Sequence, residues 1–568
     1  MFFHKECINT DKIVLCSLAS KYVHSPLAPW CLYSGIKAFC KKNHICHIVE
    51  GTINEAVENV FERILFEKPD IIGLSCYIWN INTVLVLGKM LRESLPESII
   101  ILGGPEVSFS QREIMQNNEF VDYIISGEGE VTIKLLFESI NNNTVCDIDG
   151  VTYRNNGEIK VCPPRENVKN LDDLPFVYDD SSDILNNKII YYESSRGCPF
   201  SCSYCLSGED SKVRFLSLDR VKNDIDFFVS HNVPLVKFVD RTFNSNRKRA
   251  YEIFEYIINN CGNTKFHMEL AGDLLDDDTI NLLKKAPKDI MQFEIGVQTT
   301  NAHTMQAINR KIDEDKLFRN ITKLIKNGNI HIHLDLIAGL PYEDLASFKK
   351  SFCDVMKLKP DVLQLGFLKL LDGSKIRIEA DKYNYKYTKT PPYEIISNDF
   401  ISYDEILFLH DVEDVFEKYY NNGGFEKTLE KLFKIYPDAF EVFSDIAKYF
   451  DKMGYFDISL SKQKLYDVLY DFSKQKNICL CDELKYDYIK TLKSHTVPNW
   501  CKCEYDSSFE NRCHEILQNE EFKKQNLPNY YDVPAKKVMK TVHFEKFSDK
   551  VILFDHYTGK VIDVTDLF

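Results

Sequence analysis

At 568 residues, 44% hydrophobic and 27% charged, the chain exceeds what one hydrophobic core organises, and two to four domains are expected. A net charge of −15 argues against a broad duplex- or tRNA-binding face, which would have to be basic. No apolar run approaches the roughly 18–20 residues of a membrane helix, and MFFHKECINTDK lacks the apolar core of a secretory signal, so a cytoplasmic protein is expected.

Residues 1–145 alternate apolar runs with amphipathic stretches. Strands are predicted at Lys12–Leu18, Ile45–Glu50, Ile71–Cys76, Ile99–Gly103 and Tyr123–Ser126, and helical patterns at Ile53–Glu67 and Asn80–Leu95. Such alternation predicts a parallel sheet with right-handed crossovers, hence a doubly wound, flavodoxin-like α/β layer. Cysteines such as Cys16 and Cys76 sit inside these apolar runs, where a reduced thiol acts as a small hydrophobe. The ligand crevice of such sheets lies beyond the carboxyl ends of the strands. The first of those ends runs into Ala19–Pro26, the fourth into Gly103-Gly104-Pro105-Glu106, and the fifth into Ser126-Gly127-Glu128-Gly129-Glu130.

Residues 146–187 read as a connector with a small hairpin, VTYRNNGEIKVC, turning at Asn156-Gly157. A second alternating series fills residues 188–395. Its strands are Ile189–Ser194, Leu235–Asp240, Lys265–Leu270, Met291–Gln298, Ile330–Ala338 and Val362–Leu370. Leu218–His231, Arg247–Asn259, Asp313–Asn327 and Ala346–Lys357 are the intervening helices. Six units where a closed barrel has eight predict a partial (β/α)6 TIM-type barrel. Residues 396–568 read as mostly helical, through Ile401–Tyr420, Gly424–Ile435 and Ala439–Gly454, ending in a strand pair at Thr541–Phe547 and Val551–Val564.

The most informative stretch follows the first barrel strand: Ser194-Ser195-Arg196-Gly197-Cys198-Pro199-Phe200-Ser201-Cys202-Ser203-Tyr204-Cys205. Three cysteines spaced C-x3-C-x2-C on one loop suit an iron–sulfur cubane and leave one iron open to a further ligand. Zinc is the competing reading. It usually takes a second C-x2-C or histidine pair, and none lies nearby.

This triad, with Tyr204 directly before its last cysteine, resembles the signature of the radical S-adenosylmethionine superfamily. The resemblance implies a 4Fe-4S cluster on Cys198, Cys202 and Cys205. It also implies reductive cleavage of S-adenosylmethionine to a 5′-deoxyadenosyl radical, with electrons from a flavodoxin or ferredoxin. Residues at the strand ends resemble the family's cofactor-binding segments: Asp240 and Thr242 after the second strand, Glu269 on the third, Gln298 ending the fourth, and Asp335 and Gly339 in DLIAGLP. The segment FVDRTFN stands where the family carries a glycine-rich motif and lacks its glycine pair.

The doubly wound layer ahead of the barrel resembles the cobalamin domain of the cobalamin-dependent class. That implies Ser75, Gly103, Gly104, Pro105, Gly127, Glu128 and Gly129 as cobalamin-binding residues. The first loop, Tyr22-Val23-His24-Ser25-Pro26-Leu27, lacks the Asp-x-His-x-x-Gly of proteins that ligate cobalt from below, so the lower ligand is His24 or none. The whole chain is similar to a bacterial subgroup of this class with a C-terminal domain of unknown function. Methyl transfer through cobalamin to an unactivated carbon of a small molecule or peptide is the implied reaction. An RNA-modifying radical enzyme with a degenerate cobalamin domain, and a non-catalytic iron–sulfur module, are the competing readings. Other clusters carry less. Cys479 and Cys481, and Cys501, Cys503, Cys513 and His514, fit no common metal spacing. Asp276-Asp277-Asp278 reads as a helix start, and His331 and His333 share one face of a strand.

Overall fold

The apolar runs at the start of the chain form five parallel strands, β1 (Lys12–Ala19), β2 (Ile45–Thr52), β3 (Ile71–Ser75), β4 (Ile99–Gly103) and β5 (Tyr123–Ile125). Their spatial order is β2-β1-β3-β4-β5, the flavodoxin-like arrangement. Helices cover both faces. Val14, Ile72 and Leu102 pack with Leu87 and Leu91 on one side, and Ile13, Leu15 and Ile101 with Ile36 and Phe137 on the other. Double burial is why these strands read as unbroken apolar runs. The computed structural model describes residues 11–568 apart from 41–43, 142–146, 156, 180–184, 186–187, 209–211 and 504.

The hairpin of the expected connector is part of this sheet. Strands β6 (Val151–Asn155) and β7 (Glu158–Val161) add antiparallel to β5, with Tyr153 opposite Tyr123 and Val151 opposite Ile125. Val151 and Tyr153 are buried in the same core as Ile125. The hairpin's Asn156 lies outside the described residues.

The second series forms β8 (Ile190–Tyr192), a short ribbon of β9 (Ser195–Arg196) and β10 (Arg214–Phe215), then β11 (Leu235–Phe238), β12 (Lys265–Leu270), β13 (Met291–Gln298), β14 (His331–Ala338) and β15 (Val362–Phe367). Strands β8 and β11–β15 are parallel in the order β15-β14-β13-β12-β11-β8, an open barrel wall. The first strand is shorter than expected, because Ser195 and Arg196 turn away to pair with Phe215 and Arg214. Side-chain caps start the outer helices: Asp276 accepts from the Thr279 N–H, Asp313 from Lys316 and Asp344 from Ser347. Along β13 and β14 every second residue is fully buried against helices, including Phe293, Ile295, Ile332, Leu334 and Leu336. The alternate residues, Gln292, Glu294, Gln298, His331, His333 and Asp335 among them, are mostly polar and face the lumen.

Sheet and barrel are joined through main chain as well as side chains. The Ile189 N–H donates to Val23 O at 2.7 Å, and His24 pairs as a bridge with Ile189. Tyr191 Oη lies 2.8 Å from His24 Nδ1, and Lys188 pairs with Glu50. Strands β16 (Lys386–Tyr387) and β17 (Ile395–Ser397) close this unit, which spans Met1–Tyr403.

The second unit, Asp404–Phe568, packs helices Glu426–Ile435, Ala439–Met453, Lys462–Gln475 and Cys481–Leu492 around Tyr419, Phe425 and Tyr466. The expected helix over 401–420 ends as α-helix at Phe416 and continues as a π turn, Glu417–Asn421. The expected terminal strand pair is three strands, β18 (Val542–Lys546), β19 (Val551–Asp555) and β20 (Val561–Asp563). Asp555 breaks the long run: its carboxylate accepts from the N–H groups of Tyr557 and Thr558 and folds a turn.

Candidate functional site

The cysteine loop is held from beneath by one carboxylate. Asp240, just past β11 and 1% exposed, accepts from the Ser194 N–H at 2.8 Å, Ser194 Oγ at 2.7 Å and Ser195 Oγ at 2.5 Å. Burial raises its carboxyl and the serine donors oppose that shift. Arg249 donates to the Leu216 and Ser194 carbonyls at 2.6 and 3.3 Å. Both oxygens of Asp240, expected to bind cofactor, are engaged in holding the loop.

Above this anchor, Cys198 is buried, with Sγ 3.4 Å from Thr242 Oγ1. The Cys205 N–H donates to Cys202 O at 3.1 Å, folding the loop into a tight turn. The Ser203 N–H donates to Ile308 O, and Ser203 O accepts from Ile376. Arg310, which no spacing argument marks, reaches this loop from the far side of β13. Its Nη1 lies 3.9 Å from Cys202 Sγ and 3.1 Å from Tyr204 Oη, and its Nη2 donates to Gly296 O at 2.5 Å. Burial raises the Cys202 thiol, and the guanidinium offsets part of that shift. Among the described residues, no three His, Cys, Asp or Glu side chains form a group able to hold one metal ion. A cubane makes no such demand, since each thiolate takes a different iron, and three thiols on one braced loop fit it.

The lumen beneath is a polar network. Lys237 Nζ lies 3.3 Å from Glu294 and 4.0 Å from Glu269, and His267 Nε2 lies 3.0 Å from Glu294. Gln292 Nε2 lies 2.7 Å from His333 Nε2, and the His331 and His333 rings stand 4.8 Å apart, so both histidines face the lumen. Its carboxylates behave differently. The His267 hydrogen bond, aided by Lys237 against burial, brings Glu294 down to about 2. Burial and the charge of Glu294 push Glu269 up to about 6. Burial, then Glu294 and Glu269, push Asp335 up to about 7. Asp335 Oδ1 and Gln298 Oε1 are buried without a hydrogen-bond partner, two acceptors facing the place where a donor-bearing ligand would sit. The native barrel thus keeps a proton on Asp335 that the unfolded chain has lost, so its contribution to stability falls as pH rises from about 4 through 7. Asp335→Asn is expected to raise the thermal midpoint clearly at pH 8 and by a smaller amount at pH 5, as differential scanning calorimetry would show.

The other expected residues divide. Gly339 O accepts from Tyr385 Oη and Asn398 Nδ2, each at 3.0 Å. Gly104 has φ +113°, and a Cβ there would stand 2.4 Å from Cys76 O, so Gly103-Gly104-Pro105 lies tight against the end of β3 beside Ser75. Gly127, at φ +78°, has open space where a Cβ would be. The Glu128 carboxylate points at the barrel: it pairs with Arg214 at 2.7 Å and Arg196 at 3.5 Å, and accepts from the Val168 N–H. Gly129 opens the helix Gly129–Asn141, and Glu130 pairs with Arg196. Gly127 thus leaves open space at the strand end, and the Glu128 side chain is turned to the cysteine loop. His24 holds Tyr191 through Nδ1, and burial lowers its basicity.

Three family models match the chain. The B12 binding domain matches residues 33–137, the Radical SAM superfamily residues 192–352, and a protein of unknown function (DUF4080) residues 381–562. The cobalamin-dependent radical SAM methyltransferase TokK of Streptomyces tokunonensis is 26% identical over 300 residues, covering 50% of this chain and 44% of TokK. The chain thus matches less than half the length of that relative. Among solved structures, the cobalamin-dependent S-adenosylmethionine radical enzyme OxsB, with aqua-cobalamin and S-adenosylmethionine bound, superposes at TM-score 0.60. It shares 14% identity, over 85% of this chain and 79% of OxsB. The radical S-adenosylmethionine methyltransferase TsrM of Kitasatospora setae, with cobalamin and a [4Fe-4S] cluster bound, superposes at 0.57 with 12% identity, over 68% of this chain and 78% of TsrM.

Proposed function

We infer, for a chain that belongs to the cobalamin-dependent radical S-adenosylmethionine superfamily, that Cys198, Cys202 and Cys205 hold a 4Fe-4S cluster and that the chain methylates an unactivated carbon of a small molecule or peptide. When bound, these groups supply one-electron cleavage of a sulfonium and a transferable methyl on cobalt. The chain's own residues position and exclude. Asp240 fixes the loop through Ser194 and Ser195, and Arg310 ties Cys202 and Tyr204 to β13. Gln298 and Asp335 offer unmet acceptors to the amino and hydroxyl donors of S-adenosylmethionine, and a protonated Asp335 adds no second charge beside Glu294. Thr242 and Glu269 border the same space. Ser75, Gly103, Gly104, Pro105, Gly127 and Gly129 line the strand ends that would receive cobalamin. Holding two cofactors over one lumen supplies the proximity such chemistry needs.

The observation that carries this reading is the braced cysteine loop at the mouth of a lumen with orphaned acceptors. The reductant is proposed to be a flavodoxin or ferredoxin. Reconstituted protein incubated anaerobically with S-adenosylmethionine and dithionite is expected to release 5′-deoxyadenosine and methionine, read by mass spectrometry. S-adenosylhomocysteine formed only after hydroxocobalamin is added would support methyl transfer. Absence of 5′-deoxyadenosine from iron-replete protein would overturn the radical reading.

A further inference from the structure

Beside the cysteine loop lies a cavity of about 530 Å³. Gly197 and Ser195 of the loop, Val239 and Arg241 after β11, and Arg165 from the segment following β7 all line it. Its charges do not balance. The wall holds three arginines and one carboxylate, Glu193. Arg196 is already spent on Glu193 at 2.7 Å, and on Glu130 and Glu128. Arg165 and Arg241 have no such partner: neither guanidinium makes an ion pair or hydrogen bond among the described residues. Burial raises Tyr77 and Glu269, and the charge of Arg241 opposes both shifts through space. Arg241 is exposed and Arg165 half-buried, so both guanidinium groups are open to a solute that enters the cavity. Each presents a planar fork that matches a carboxylate or phosphate through paired N–H···O bonds.

Building on the proposed radical function, we propose that Arg165 and Arg241 form an oxyanion subsite that anchors the carboxylate or phosphate of the methyl acceptor beside the cysteine loop. The acceptor class this selects is an anionic small molecule. Its charged end is held by residues from two different segments, and the rest of it lies toward Gly197 and Val239. A neutral acceptor would leave both guanidinium groups unmatched.

The test uses the reconstituted holoenzyme and inorganic phosphate as the probe, followed by phosphorus NMR titration. Wild type is expected to show one saturable site. Arg165→Gln and Arg241→Gln should each weaken it by about tenfold or more, the loss of one charge-assisted fork. Arg165→Lys and Arg241→Lys, which keep the charge and lose the fork, should fall between and show that the variants are folded. Equal phosphate affinity in wild type and both glutamine variants would overturn the subsite. Two other oxyanions are separated by further titrations. If the glutamine variants lose affinity for hydroxocobalamin but not for cobinamide, which lacks the nucleotide phosphate, the pair serves the cobalamin tail and the proposal fails. If they lose affinity for S-adenosylmethionine, the pair serves its carboxylate, and the proposal fails too. Release of 5′-deoxyadenosine by wild type is scored separately. Its absence, with the phosphate site intact, would remove the radical reading and leave the subsite standing.

Discussion

Cys198→Ala, Cys202→Ala and Cys205→Ala, each reconstituted anaerobically with iron and sulfide, are expected to lack the broad visible absorption of the wild type and to release 5′-deoxyadenosine at background rates. The argument is one of ligand count. A cubane with three protein thiolates has none to spare, and losing even a supporting neighbour of a metal ligand costs about 10–100-fold, so losing a ligand should cost more. The structure makes the loss specific. Cys198 sits buried against Thr242, and Cys202 has Arg310 beside it to favour its thiolate. Cys479→Ala, at an exposed thiol, is the matched control and should keep full iron content. Wild-type absorption in any one of the three alanine variants would break the assignment.

Arg196→Met is expected to destabilise the first unit by about 3–5 kcal/mol, the range for removing one partner of a buried ion pair. Arg196 is largely buried and stands among Glu193 at 2.7 Å, Glu130 and Glu128. Its loss, two positions from Cys198, leaves those carboxylates facing one another, with Arg214 still paired to Glu128. Methionine keeps much of the volume, so the effect reads charge and not a cavity. The chain has two units, so the readout is the midpoint of the thermal transition that the substitution shifts, not one global unfolding energy. Acid should narrow the deficit. Burial already raises Glu193, and without the guanidinium it takes up a proton sooner as pH falls, which relieves the repulsion. A deficit that widens below pH 6 would contradict this account.

Much of this was legible in the chain. The β1–β5 runs, the barrel strands and the triad each carry a local signal, either apolar continuity, alternation or thiol spacing. What stayed hidden was choice of partner. Glu128 and Glu130 follow a strand end and look like ligand-loop residues, but they meet Arg196 and Arg214, which lie more than sixty positions away. Arg310 joins Cys202 and Tyr204 across about a hundred residues, and no periodicity marks it. The hairpin Val151–Val161 alternates identically whether it stands alone or edges a sheet; only Tyr123 opposite Tyr153 decides. The break after Asp555 could have been read from Thr558-Gly559, a turn signal inside an otherwise strand-like run.

The stitch between Val23 and Ile189, reinforced by His24 with Tyr191, has a mechanical consequence. A hinge needs a segment free to change its dihedrals, and here the crossing point is itself hydrogen-bonded backbone. The crossing point between the two layers is therefore a poor place for a hinge: any swing there has to break main-chain hydrogen bonding first.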